Sequence, residues 1–110
     1  MELFIDDIRV PSDVGLCNSD YIIAIDYNSA MKIILEHKPQ FITFDHDLGD
    51  DATGTGYDIA KCLCELDMDY PDAGFITENF EFNVHSANPV GRKNIEKYLD
   101  SYTKTKFDFL

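Results

Sequence analysis

Three short apolar runs in this chain stop in the same way. ELFI (2–5) is followed by Asp6 and Asp7, FITF (41–44) by Asp45, His46 and Asp47, and FEFNV (80–84) by His85 and Ser86. Titratable groups are costly to desolvate unless they are paired or bound to a cation, so structure alone seldom sets them at the mouth of a buried strand. The pattern predicts a set of strands whose ends share one chemically active rim.

The segments between these runs supply the rest of the architecture. Residues 21–25 (YIIAI) read as a further buried strand, and residues 8–20, with Pro11 and Gly15, as an irregular connection with at most one helical turn. A helix is expected from an N-cap at Asn28 or Ser29, with Ala30, Ile33, Ile34 and His37 along its apolar side and Pro39 beyond its end. His37 is read as structural. A second helix carries Ile59, Leu63, Leu66 and Tyr70, with Thr53 or Thr55 as its N-cap and Pro71 ending it. Residues 72–79 form a loop. FEFNV alternates as an edge strand with one wetter face does, and Asn88-Pro89 opens a third helix with Ile95, Tyr98, Leu99 and Tyr102 inward. The tail FDFL is expected either to add a strand or to pack on the sheet.

Strands alternating with helices predict a mostly parallel sheet in an α/β fold, and such sheets bind ligands at the carboxyl ends of their strands. With 110 residues and 45% apolar content, one domain with a modest core is expected over 1–110. Cys17, Cys62 and Cys64 lack metal or disulfide spacing and read as core thiols of a reducing compartment. MELFIDD has neither a basic region nor an apolar core, and no stretch reaches the roughly 18 apolar residues of a membrane span, so the expected location is the cytoplasm.

A formal net charge of −12 excludes non-specific binding to long DNA. A small phosphorylated ligand or a single RNA terminus remains compatible if a metal or a few cations reverse the local field. Asp6, Asp7, Asp45 and Asp47 at one rim would repel one another without a cation, and oxygen-seeking Mg²⁺ is the natural one. If the third strand ran on to Asp47, alternation would set Asp45 and Asp47 on one side and His46 on the other. His46 and His85 suit proton transfer at neutral pH. The helix opened by Asn88 is an anion site, and Arg92 and Lys93 in its first turn, unfavourable beside the positive dipole end, would be reconciled by a bound phosphate.

FIDD, FDHDLG, TGYDIA and VHSA resemble the two-component receiver domain, a flavodoxin-like three-layer sandwich. By that resemblance Asp6 and Asp7 are the metal-binding pair, Asp45 the phosphoacceptor position and Ser86 the switch hydroxyl. The connection 8–20 is too short for the usual first helix and no strand ending in lysine follows Ser86, so a truncated sheet of four to five strands is expected. LFIDDIRVP, FDHDLG, GTGYDIA and HSANPVGRKNI resemble, nearly end to end, the cyclic-phosphate processing receiver domain. That resemblance adds His46, His85, Arg9 and Asp47 to the site, with Asn88, Gly91, Arg92 and Asn94 lining the pocket.

The activity it implies is a metal-assisted phosphodiesterase that opens a 2′,3′-cyclic phosphate on a nucleotide or RNA end. Mg²⁺ or Mn²⁺ would sit on Asp6, Asp7 and Asp45, the two histidines would act as acid and base, and Arg9 and Arg92 would clamp phosphate oxygens. Two other readings use the same residues: a binder of cyclic or phosphorylated nucleotides without turnover, and an atypical receiver phosphorylated on Asp45. Phe107, Phe109 and Leu110 are read as core or as a homodimer surface.

Overall fold

The computed structural model describes residues 2–48 and 54–108. Four strands, β1 (Glu2–Ile5), β2 (Tyr21–Ala24), β3 (Phe41–Phe44) and β4 (Glu81–Val84), form one sheet in the order β2-β1-β3-β4. Every pairing is parallel, with Glu2 opposite both Tyr21 and Phe41, and Phe41 opposite Glu81. Four strands is the lower bound of the expected sheet, and β4 is the expected edge. It begins at Glu81 because the Phe80 amide is used in a turn to the Thr77 carbonyl, 3.0 Å away. Likewise β2 stops before Ile25, which is exposed.

The helices are α1 (Tyr27–His37), α2 (Gly56–Asp69) and α3 (Pro89–Phe107). Leu3, Ile5, Ala24, Ile42, Phe44 and Val84, alternate residues of the four strands, share one core cluster with buried side chains of all three helices. The helices therefore cover one face. Right-handed crossovers require this, since β2 to β3 and β3 to β4 step the same way across the sheet. The step from β1 to β2 runs the other way and sends residues 8–20 to the opposite face. They form two short 3₁₀ turns there, Pro11–Val14 and Asn18–Asp20, one more than expected, so the third layer of the receiver sandwich is reduced to a loop. On that face Tyr21 meets the edges of Phe4 and Phe41, each at 6.2 Å between ring centroids.

Several local expectations need correction. The N-cap of α1 is Asp26: its Oδ1 accepts the Ser29 amide at 2.8 Å, which makes Ser29 the third helical residue and Asn28 the second. Starting earlier lets Tyr27 pack on the core and reach the Cys62 sulfur at 2.9 Å. Thr55 caps α2, whereas Thr53 lies outside the described residues. Tyr70 is exposed as the C-cap of α2 rather than part of its buried stripe. His37 is exposed beside Glu36, away from the rim clusters. Of the cysteines, Cys64 is buried and Cys62 half-buried, but Cys17 is exposed. Phe107 belongs to α3 and packs partly on the core, while Phe109 and Leu110 lie outside the described residues.

Below the sheet, at the end away from the rim, two polar side chains hold the 72–79 loop. Gln40 donates to the carbonyls of Gly74 and Phe75 and accepts from the Thr77 amide and hydroxyl. Asp67, 1% exposed, accepts from the Ile76 amide, the Tyr102 hydroxyl and Lys106 Nζ. No helix among the described residues is long and apolar enough to cross a membrane.

Candidate functional site

Parity along the strands brings the rim residues together. Phe4 and Thr43 lie off the helix-covered face, so Asp6 and Asp45, two residues further on, continue that side beyond the strand ends. The same holds for His85 after Asn83. Asp6 is fixed by its amide to the Ala24 carbonyl and Asp45 by its amide to the Ile5 carbonyl, each at 3.0 Å. One oxygen of each of Asp6, Asp7 and Asp45 lies within 4.8 Å of the others.

Asp6 is 1% exposed, and both of its oxygens are fully engaged. Oδ1 accepts the Ile8 and Arg9 amides, and Oδ2 accepts Arg9 Nε, each at 2.9 Å. Oδ2 also accepts His85 Nε2 at 3.0 Å. Burial pushes this carboxyl up, but the two amides, the Arg9 charge and His85 outweigh it and hold its pKa below the usual value.

Asp45 has the opposite balance. At 6% exposure it accepts its neighbour's amide, that of His46, at 2.9 Å and meets Arg9 Nη2 at 3.4 Å. Burial raises its pKa, the Asp6 charge raises it further, and the nearby Ser86 hydroxyl and Arg9 only partly offset this. Arg9 therefore spans the two buried aspartates, and Asp45 keeps a poorly compensated charge.

The His85 ring is 4% exposed and stacks on Phe4 at 4.4 Å. Because the Asp6 carboxylate can only accept, Nε2 carries the proton, and Nδ1 accepts the Thr43 hydroxyl at 2.7 Å. Burial lowers the pKa of this histidine despite the Asp6 charge, which favours the neutral ring. Both nitrogens are thus committed to protein groups. Thr43, a hydroxyl inside an apolar strand, was missed by sequence reasoning, although its position two residues before Asp45 marks it. Thr43→Val should leave buried Nδ1 without a donor and lower stability by about 1–2 kcal/mol in urea unfolding. An unchanged midpoint would mean that the hydroxyl contributes nothing.

His46 and Asp47 form a second group. The His46 ring, 19% exposed, bonds Asp47 Oδ1 through Nδ1 at 2.9 Å, and Asn88 Nδ2 reaches Asp47 Oδ2 at 3.4 Å. β3 ends at Phe44, so strand alternation does not govern Asp47, which lies outside the cluster of three aspartates. The bond to His46 holds the Asp47 pKa down. Asn88 caps α3 by accepting the Gly91 amide at 3.0 Å, and its own amide donates to the Ser86 hydroxyl at 3.1 Å.

Gly91 lets the His46 ring lie against this helix end, since a Cβ there would stand 2.3 Å from His46 Cγ. Gly91→Ala should therefore displace His46 and lower stability by about 1–2 kcal/mol, since His46 Cβ, tied to the backbone, would also stand only 2.8 Å away and helix propensity offsets only part of the strain. Nuclear magnetic resonance of the His46 ring protons, beside a urea titration, separates the two effects; an unmoved ring would sink the assignment.

Two expected pocket residues make other contacts. Arg92 pairs with Glu96 at 2.9 Å, one turn further along α3, and makes no ion pair with the aspartates among the described residues. Asn94 lines a groove between α2 and α3.

A parallel sheet with carboxylates, an arginine and a hydroxyl at its carboxyl rim defines a receiver-like α/β domain. The family model of the cyclic-phosphate processing receiver domain matches residues 1–101, and the chain belongs to that family. No curated protein and no solved structure matches it.

Proposed function

We propose that this domain opens a 2′,3′-cyclic phosphate at the carboxyl rim with the help of a divalent cation. The observation that carries the reading is the group Asp6, Asp7 and Asp45, whose oxygens lie within 4.8 Å while Asp45 stays under-compensated. Such a set of hard oxygen donors suits Mg²⁺ or Mn²⁺, and these three residues would hold it. When bound, the ion would neutralise the phosphate and the charge that builds on it in the transition state.

The chain's own groups do the rest. The four acceptor positions of Asp6 are filled, so making room means giving up a bond, and the half-exposed Arg9 is easier to move than His85. Arg9 released from Asp6 then has guanidinium N–H groups for the non-bridging phosphate oxygens. His85 holds and orients Asp6 and exchanges no proton with solvent, because both its nitrogens are bonded. Proton transfer falls to His46, oriented by Asp47. It takes a proton from water as the new P–O bond forms and returns it to the ribose oxygen as that P–O bond breaks.

The test incubates the protein with nucleoside 2′,3′-cyclic phosphates in Mg²⁺, in Mn²⁺ and in EDTA, with Asp45→Ala and His46→Ala beside it. Metal-dependent opening that falls about 10²-fold or more in both variants supports the reading. Ligand that co-elutes with the protein unchanged makes the domain a binder. Labelling by a small phosphodonor that disappears in Asp45→Asn makes it an atypical receiver.

A further inference from the structure

α2 and α3 both begin at the rim. The Gly56 amide donates to the His46 carbonyl at 2.8 Å, and Gly91 lies under the His46 ring. Between the two helices runs a groove of about 630 Å³ whose lining includes Tyr57, Met68, Asn94, Lys97, Tyr98 and Tyr102. This is within the roughly 300–1,000 Å³ of small-ligand sites. The groove begins where the two helices leave the rim: Tyr57 follows Gly56, and Asn94 stands one turn below Gly91.

Two features identify its occupant. The first is aromatic surface: the Tyr57 and Tyr98 rings meet edge to face at 5.7 Å, Tyr102 follows one turn below Tyr98, and Met68 is 55% exposed. The second is charge. α3 holds Arg92, Lys93, Lys97, Lys104 and Lys106 against only Glu96 and Asp100, in a chain of net charge −12, whereas α2 holds Lys61 against Asp58, Glu65, Asp67 and Asp69, so the cationic wall of the groove is α3 alone. Among the described residues Lys93 and Lys97 make no ion pair, and their i, i+4 spacing sets like charges side by side. Aromatic faces beside unpaired cations are how proteins hold single-stranded nucleic acid, the rings stacking bases and the cations tracking phosphates. The acidic remainder of the surface would repel a duplex.

We propose that the α2–α3 groove binds the nucleotides preceding the cyclic end of a single-stranded RNA, so that the rim acts on an RNA terminus rather than on a free nucleotide. This rests on the cyclic-phosphate reading of the rim, and a 2′,3′-cyclic end requires the 2′-hydroxyl that DNA lacks. Bases enter along Tyr57 and Tyr98, and Lys93 and Lys97 meet the backbone.

The test compares the binding of adenosine 2′,3′-cyclic phosphate and of an adenosine tetranucleotide with the same end by calorimetry in Mg²⁺. His46→Ala serves as the parent chain so that neither ligand is consumed. The tetranucleotide is expected to bind at least about 10-fold tighter, an advantage that falls with added salt. Adding Lys97→Glu, on an exposed position, or Tyr98→Leu should cut the advantage below about threefold while leaving the mononucleotide affinity unchanged. Equal affinity for the two ligands, or an advantage indifferent to both substitutions, overturns the groove inference and leaves the rim reading standing. A tetranucleotide that binds equally well without its cyclic end, beside a mononucleotide that does not bind, supports the groove and overturns the rim reading. If neither ligand binds, both are overturned.

Discussion

Gly56→Ala is expected to be the most damaging glycine-to-alanine change among the described residues. The backbone at Gly56 is ordinary, so the constraint is space: a Cβ there would lie 1.8 Å from the Asp45 carbonyl oxygen and 2.8 Å from its carbon. Ordinary contact needs nearly twice that distance. The obstacle is backbone rather than a flexible side-chain tip, so either α2 or the end of β3 must shift. Both are pinned, α2 by the Gly56–His46 hydrogen bond of 2.8 Å and β3 by the Asp45–Ile5 bond of 3.0 Å.

Overpacking of this kind costs about 3 kcal/mol, which for a domain of this size lowers the melting temperature by on the order of 15 °C. Because the displaced atoms belong to Asp45 and His46, the proposed cyclic-phosphate opening should be lost as well, even at temperatures where the variant remains folded. Gly15 is the control. It has open space and a φ of 82°, so alanine there pays only for the left-handed backbone, about 1 kcal/mol. Thermal unfolding followed by circular dichroism decides the matter, and a Gly56→Ala curve no worse than that of Gly15→Ala would refute the close-approach argument.

The second large effect is a split between two aspartates that share one arginine. Asp6 is stabilised as a carboxylate and Asp45 is not, so their amide variants should move stability in opposite directions. Asp6→Asn would set an amide nitrogen either against the Ile8 and Arg9 amides or against Arg9 Nε and His85 Nε2, at a cost of about 3 kcal/mol. Asp45→Asn removes a buried charge that faces Asp6 and should add about 1 kcal/mol.

The signs follow from linkage. A carboxyl whose folded pKa is lowered contributes stability above its unfolded pKa, near 3.9, and loses that contribution as the pH falls through the folded value. One whose folded pKa is raised imposes its full penalty above the folded value. At neutral pH the first describes Asp6 and the second Asp45. Urea unfolding in EDTA isolates this effect from any bound cation. In the activity assay both variants should fall by about 10³-fold, since each removes a charged oxygen from the proposed cation site. A protein stabilised by the loss of an aspartate that its activity requires would show that Asp45 is kept for chemistry. If Asp45→Asn instead destabilises as much as Asp6→Asn, the charge balance drawn here is wrong.

The rim was legible in the sequence because it depends on local features. Apolar runs that stop at Asp6, Asp45 and His85 mark strand ends, and an alternating βα pattern obliges those ends to lie together. Asn88 was read as a cap from spacing alone and Thr55 as one of two candidates with Thr53, although at α1 the same reasoning chose Asn28 or Ser29 over Asp26. That miss has a tertiary cause: starting the helix earlier allows Tyr27 to pack on the core and bond Cys62, a partner 35 residues away.

What a given side chain does at the rim was not legible. His46 and His85 looked equivalent, each a histidine at a strand end, yet one lies partly exposed against Asp47 and the other is enclosed between Asp6 and Thr43. Asp47 read as a fourth carboxylate of the cation site but turns to His46, and Arg92 read as a phosphate clamp but pairs with Glu96.

The sequence by itself determined the succession of strands and helices, the parallel sheet they imply, and the rim on which the titratable residues gather. Periodicity, caps and breakers act between residues a few positions apart, so they can be read along the chain. Only the tertiary structure decided which oxygens Arg9 joins, why Gly56 and Gly91 leave no free space for a Cβ, and how differently the two histidines are bonded. Those outcomes depend on strand register and on the approach of helix ends to the sheet, where atoms distant in sequence come within a few ångströms of one another.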